Sequence, residues 1–285
     1  MKLTNKHNLP GPIFRKIAST MRPNPPRYGL TTLLRPARMV ALEIKHWDDI
    51  ETDAMDHVFR LDGTVMHAML DMEDPDTILR EHLIEHEVNG VTVRTAIDRF
   101  WKDGPRNVLT EFKNTSIWSV IYGKDEWVQQ LNLQAAMLNF IGRRADRLEV
   151  VAKLRDWSAR EAKYDSQKPQ HPIVQIDVPL WTPATAEEFL RARVEAHKEA
   201  RNGHLGECSD VERWAKPPTW AVMKPGRKTA LRVLDSNEEA DVWGQTNASG
   251  QFTIEHRPGA NTRCESYCPV SAFCDQFKAL KEKAA

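Results

Sequence analysis

Asp98, Glu111 and Lys113 are residues whose types and spacing lend themselves to chemistry. Twelve residues separate the two carboxylates, and the second opens the run Glu111-Phe112-Lys113. Side chains alternate along a strand, so Glu111 and Lys113 would share one face while Phe112 turns to the other, into a core. With Asp98 facing them from the end of a neighbouring antiparallel strand, two carboxylates offer hard oxygen ligands to Mg²⁺ or Mn²⁺. The carbonyl of Phe112 is a third candidate ligand, and Lys113 is near enough to orient a water or help to deprotonate it. Two buried, unpaired carboxylates are costly, and a cation between them relieves that cost. The same spacing also arises in an ordinary salt bridge on an edge strand.

The cysteines form a second set. Cys264, Cys268 and Cys274 make a C-x3-C-x5-C cluster, and Cys208 is the only other cysteine. Four thiolates suit either a tetrahedral Zn²⁺ or a [4Fe–4S] cluster. Zinc sites commonly come as two close C-x2-C pairs, whereas three clustered cysteines and a remote one are more like an iron–sulfur ligand set, to which Pro269 after Cys268 adds. Reduced thiols without metal are the third reading. A deaminase-type zinc site requires H-x-E and then P-C-x-x-C, which neither the order nor the spacing here satisfies.

Between Arg213 and Arg232, the cations Arg213, Lys216, Lys224, Arg227, Lys228 and Arg232 are interleaved with Trp214 and Trp220. Such a stretch can neutralise phosphates and stack bases, the means by which single strands are held without sequence preference. No G-x4-G-K-[ST] segment is present. Strand separation would therefore come from free ends or from a helicase or recombination partner.

The elements that must position these residues follow from periodicity and turn signals. Apolar residues recur at helical spacing from about Arg38 to Leu70, with Gly63 expected to separate two helices. Residues 81–113 read as three antiparallel strands punctuated by Asn89-Gly90 and by Lys102 to Pro105. An amphipathic helix is expected from Asp125 to Ile141, strands from Arg147 to Trp157 and His171 to Leu180, and a helix from Ala184 to Asn202. The order predicts an α/β fold with a helical preface.

The composition is that of a globular chain: 285 residues, 40 Lys+Arg against 40 Asp+Glu, and 41% hydrophobic residues. Disordered and collagen-like classes are excluded, and no run reaches the roughly 20 apolar residues of a membrane span. The expectation is a cytoplasmic protein with no membrane partner, in a reducing compartment where clustered cysteines serve metal binding or catalysis rather than disulfides. The charge is unevenly spread. Residues 1–45 carry nine Lys/Arg and one acid, Glu43, whereas residues 46–90 carry thirteen Asp/Glu and five histidines. A basic arm beside an acidic, His-rich block suits a polyanion held near a divalent cation.

Read in order, Gly63-x3-His67, Asp98, Glu111-x-Lys113 and Gln130 resemble the motif series of PD-(D/E)XK nucleases of the RecB type. That group includes the CRISPR-associated RecB-like exonucleases and their phage-encoded relatives. The resemblance covers roughly residues 29 to 277. It implies a restriction-endonuclease-like mixed sheet flanked by helices, with His67, Asp98 and Glu111 as metal ligands and Lys113 as the catalytic lysine. Gln130 would support Lys113 or the DNA end, and Cys208, Cys264, Cys268 and Cys274 would hold a [4Fe–4S] cluster. Thr95 stands where the family often has Gly, and Gln134 where a Tyr often follows the Gln. Cys208 follows the core, whereas the lone cysteine of the CRISPR-associated proteins precedes it, which favours a phage-type or general DNA-processing role. The implied organisation is a flexible basic arm over 1–28, a nuclease core over 29–205, and a DNA-contacting, cysteine-bearing segment over 206–285 packed on it. The implied activity is a Mg²⁺- or Mn²⁺-dependent exonuclease on single-stranded or frayed DNA in a bacterial or phage-infected cell. A structure-selective endonuclease and a non-catalytic DNA-binding or assembly protein are the alternatives.

Overall fold

The computed structural model describes residues 1–21, 24–25, 27–70 and 74–284, with only the backbone course for 67–70 and 284. The chain divides into two units, Met1–Leu205 and Gly206–Ala285.

In the first unit β1 (Lys2–Thr4) leads to α1 (Gly11–Thr20), whose Ile17 is fully buried. α2 (Leu30–Leu33) and α3 (Ala37–Lys45) follow, then β2 (Glu51–Asp53), which pairs in parallel with β1. The carboxylate of Asp53 accepts hydrogen bonds from the Lys6 and Met55 amides at 2.7 and 3.0 Å and from the Thr4 hydroxyl at 2.8 Å. Those amides hold its pKa down at about 2. The described part of residues 1–28 is thus no loose arm: strand pairing, a carboxylate anchor and a buried isoleucine fix it to the first unit.

α4 (Val58–Leu70) runs through Gly63 without a break. The expected helix boundary is displaced to residues 46–57, where β2 and a 3-10 turn capped by Asp53 intervene. A glycine weakens a helix by only about 1 kcal/mol, a cost that a 13-residue helix can carry.

β3 (Thr77–Val88), β4 (Val91–Asp103) and β5 (Arg106–Thr115) form the expected meander. Asn89 and Gly90, with φ of 48° and 77°, turn β3 into β4, as a two-residue hairpin requires. After α5 (Ile117–Ile121) and α6 (Asp125–Phe140) come β6 (Arg147–Leu154), α7 (Ala159–Tyr164), β7 (Ile173–Val178) and α8 (Pro183–Arg201). The sheet order is β3-β4-β5-β6-β7, with β5 and β6 parallel and the other neighbours antiparallel. The α/β class expected from the sequence is what the structure has: a mixed five-stranded sheet flanked by helices.

The core lies between the sheet and α6, where Ile84, Phe100 and Leu109 meet Leu131 and Leu138. α6 is not the amphipathic surface helix its pattern suggests, since every residue from Gln130 to Leu138 is buried. Its Asn132 explains how a polar residue survives there: the amide donates to the Val128 and Pro179 carbonyls at 2.8 and 2.9 Å and accepts from the Trp181 N–H at 2.7 Å.

The second unit contains α9 (Asp210–Arg213), β8 (Ala215–Lys216), β9 (Thr219–Met223), β10 (Arg232–Leu234), α10 (Asn237–Asn247), β11 (Thr253–Arg257), β12 (Ala260–Asn261), α11 (Thr262–Ser266) and α12 (Asp275–Ala284). β9 is the centre of a small antiparallel sheet between β10 and β11, and β12 pairs with β8. At Gly259 any Cβ would sit 2.6 Å from the Lys216 carbonyl, so only glycine allows this approach. Among the described residues no helix is long and apolar enough to cross a membrane.

One buried histidine couples folding to pH. His197 of α8 is fully buried, its Nε2 lies 3.1 Å from both the Leu33 and Arg35 carbonyls, and its Nδ1 has no hydrogen-bond partner among the described residues. Burial, reinforced by Arg193, pushes its pKa down to about 4. A lowered folded pKa means that the unfolded chain takes up the proton first as pH falls. The stability it contributes is complete above about pH 6.5 and declines by up to about 1.4 kcal/mol per unit towards about pH 4. Urea unfolding across that window should show the decline, and His197→Gln should flatten it; equal slopes would remove His197 from the effect.

Candidate active site

β4 breaks its own alternation where the site is built. Ile97 and Phe100 both enter the core although they are three positions apart, which a period of two does not allow. The pairing with β3 passes from Ile97–His82 to Arg99–Arg80, stepping over Asp98 and Glu81. Glu81 takes a φ of 44°, a left-handed conformation that disfavours most side chains. Beyond this irregularity Arg99 pairs with Thr110 and Phe100 with Leu109 of β5, and the same register carries Asp98 towards Glu111. Asp98 therefore sits within β4 rather than at its end, as the spacing had suggested.

The carboxylate of Asp98 takes over a ladder position, accepting from the Phe112 N–H at 2.9 Å. Glu111 and Lys113 face α6. Lys113 Nζ donates to Glu111 Oε1 at 2.6 Å and to Gln130 Oε1 of α6 at 3.0 Å. Asp98 and Glu111 are only 8% and 6% exposed, and these partners offset the cost of their burial. Phe112 points the other way, as alternation requires, but is half-buried and does not join the core around α6. The core and the site share one face of the sheet. On the opposite face the buried Glu149 accepts from the Thr110 hydroxyl at 2.7 Å and pairs with Arg147 at 3.0 Å, a separate network.

Gln134 belongs to this arrangement and was not among the residues singled out as functional. One turn after Gln130, its amide donates to Glu111 Oε2 at 3.0 Å and to the Ala96 carbonyl at 3.1 Å. The reverse amide orientation would set oxygen against two acceptors, so the network fixes this one. The signal was the i, i+4 spacing of Gln130 and Gln134, which puts them on one face of the helix. Gln134 Oε1 and Asn114 Oδ1 are buried without a hydrogen-bond partner among the described residues.

His67 lies near the end of α4, a helix that packs against β5, but its side chain is outside the described residues. The donor set that is described, two carboxylates and the Phe112 carbonyl, is all hard oxygen and chemically suits Mg²⁺ or Mn²⁺. Among the described residues no group of three or more His, Cys, Asp or Glu side chains converges on a point that could hold a metal ion.

All four cysteines fall in the second unit and none is in a disulfide. Cys264 lies in α11, and Cys274 is buried just before α12. Burial raises the Cys264 thiol, and the neighbouring Cys274 adds to the rise. The backbone of Cys208 is tied to Gln276 of α12 by two hydrogen bonds of 2.9 Å, and among the described residues the cysteines do not form a group of three or more that could hold a metal ion. In the basic-aromatic stretch, Arg213 is engaged internally by Asp210, Asn261 and the Cys208 carbonyl. The Trp214 ring packs against Tyr267, with Arg263 over its face. Lys216, Arg227, Lys228 and Arg232 remain exposed.

Gln134→Leu should lower unfolding stability by about 1–3 kcal/mol, because it strands Glu111 Oε2 and the Ala96 carbonyl without donors. Urea titration of the variant measures this; an unchanged midpoint would mean that Glu111 does not depend on Gln134.

No family model matches the chain, and no curated protein matches it. A structural comparison finds the crystal structure of SSO0001, 17% identical, with a TM-score of 0.40 over 65% of this chain and 82% of that one. A likeness of that size carries no argument about activity.

Proposed function

We propose that this chain is a metal-dependent deoxyribonuclease of the PD-(D/E)XK, RecB-like type, hydrolysing phosphodiester bonds as an exonuclease on single-stranded or frayed DNA ends. The reading rests above all on the lysine bridge: Lys113 Nζ is held between Glu111 of its own strand and Gln130 of α6, with Asp98 fastened to the backbone between Glu111 and Lys113. Two buried carboxylates and a lysine on one sheet face are what a phosphodiesterase centre requires. A salt bridge on an edge strand would need neither the burial nor the second-strand acid.

Asp98, Glu111 and the Phe112 carbonyl would hold Mg²⁺ or Mn²⁺, with His67 as a further ligand. The ion, when bound, supplies Lewis-acid polarisation of a phosphate and a lowered pKa for a coordinated water. Lys113 orients the attacking water towards phosphorus and offsets charge on the non-bridging oxygens. Gln130 and Glu111 hold the ammonium in place, so its three donors are not free to turn away. Gln134 keeps Glu111 in the rotamer that presents it to the same side.

Lys113→Ala should abolish metal-dependent cleavage of end-labelled linear DNA, with a loss of at least 10²-fold expected for a positioned acid–base group, while circular dichroism stays native. Asp98→Asn should do the same. Cleavage of closed circles would assign an endonuclease instead. Intact DNA with folded, metal-supplemented wild type would leave the assembly-protein reading.

For the second unit we propose that Cys208, Cys264, Cys268 and Cys274 hold a [4Fe–4S] cluster, with Zn²⁺ as the alternative. Support comes from their common unit, from the absence of a disulfide and from the Gln276 tether on Cys208. Anaerobically purified protein should absorb broadly near ~400 nm and bleach on reduction, and loss of the metal should lower the melting temperature. A colourless protein containing zinc would replace the iron assignment.

A further inference from the structure

The segment that joins β5 to α6, the two elements bearing Lys113 and Gln130, ends on exposed aromatic rings. Trp118 of α5 and Tyr122 just after it are 50% and 78% exposed, and their rings stack at 5.8 Å with planes 15° apart. Soluble proteins seldom present two adjacent large rings to water without a use for them. Cations accompany the rings: Lys168 Nζ lies 5.9 Å from the Trp118 ring, and the Arg155 guanidinium lies 4.3 Å over the exposed ring of Phe59 on α4.

These residues form one surface because the backbone beneath them is cross-tied. The Ser116 hydroxyl and the Ile117 N–H both donate to the Asp156 carboxylate, at 2.6 and 2.7 Å, and the Arg155 N–H donates to the Thr115 carbonyl at 2.9 Å. The start of α5 is thereby clamped to the end of β6. Ile117 lies only four positions after Lys113, about 13 Å of extended chain. The buried Ile117 anchors α5 inwards while Trp118 faces out.

We propose that this surface is the platform on which single-stranded nucleic acid stacks as it approaches Lys113. The inference rests on the phosphodiesterase reading of that site and adds where the substrate is gripped. A single strand supplies both complements at once: base faces for Trp118, Tyr122 and Phe59, and a phosphate for Arg155, whereas Lys168 is paired with Glu161 at 2.5 Å. A duplex keeps its base faces stacked internally.

The test is binding in EDTA, where hydrolysis is halted, by anisotropy of a labelled oligothymidylate and of an abasic oligomer of the same length and charge. Wild type should prefer the base-bearing strand. Trp118→Ala and Tyr122→Ala should each cut that preference by roughly 5- to 100-fold, the range for loss of one base-stacking ring, and Trp118→Phe should retain most of it. Equal wild-type affinity for the two oligomers, or a preference untouched by either alanine variant, would overturn the platform. Both side chains are exposed, and circular dichroism of each variant checks the fold. Metal-dependent cleavage by the same wild-type preparation is scored separately: base preference without cleavage removes the nuclease reading alone, and cleavage without base preference removes the platform alone.

Discussion

Two carboxylates buried on the core face of a sheet are the constraint around which the first unit is arranged. Removing such charges from water costs several kcal/mol each unless hydrogen bonds or opposite charges replace the solvent. The replacements come from three places: the Phe112 amide for Asp98, Lys113 for one oxygen of Glu111, and Gln134 for the other. Each dictates something larger. The amide donation goes with the end of the β4–β5 backbone pairing at Arg99–Thr110, beyond which the Asp98 side chain takes the next position, and the glutamine calls for a helix lying directly over β5.

That helix explains the layout of the rest of the unit. α6 fills the core with Leu131, Leu133, Met137 and Leu138, and sends Gln130 and Gln134 to the site from the same turns. A helix so enclosed must be walled in on its other sides. α8 does this, and α8 also holds the end of α2 through Arg193 and His197 on the Leu33 and Arg35 carbonyls. Packing and chemistry are thus not separable here: the helix that stabilises the sheet is the one that orients Lys113. The exposed aromatic pair follows from the same connectivity, since the short path from β5 back to α6 leaves room only for one small helix, clamped by Asp156 and open to solvent on its far side.

Asn89-Gly90 and the Asp98, Glu111 and Lys113 spacing were legible, because each depends on local geometry, φ preference at a turn and alternation on a strand, whereas Gln130 was singled out only by its place in the resembled motif series. The break in β4 at Asp98 and Glu81 was not legible, because a ladder irregularity is decided by both strands at once and neither shows it alone. Gln134 could be seen as a departure from the resembled pattern, yet its role depends on which oxygen of Glu111 lies across from it. Gly63 was misread as a boundary because a local penalty of about 1 kcal/mol is too small to end a helix by itself.

By itself, the sequence determined the order and type of the central elements and the spacing of Asp98, Glu111 and Lys113 along them. These are consequences of residue type and short-range periodicity, which act within a few positions along the chain. Only the tertiary structure decided that the carboxylates share the core's face of the sheet, that Phe112 lies off that core, and that residues 1–21 are bound into the first unit through Asp53 and Ile17. It also decided that Trp118 and Tyr122 stand in water. Burial is a property of the neighbours a residue acquires from distant parts of the chain, and no local pattern contains them.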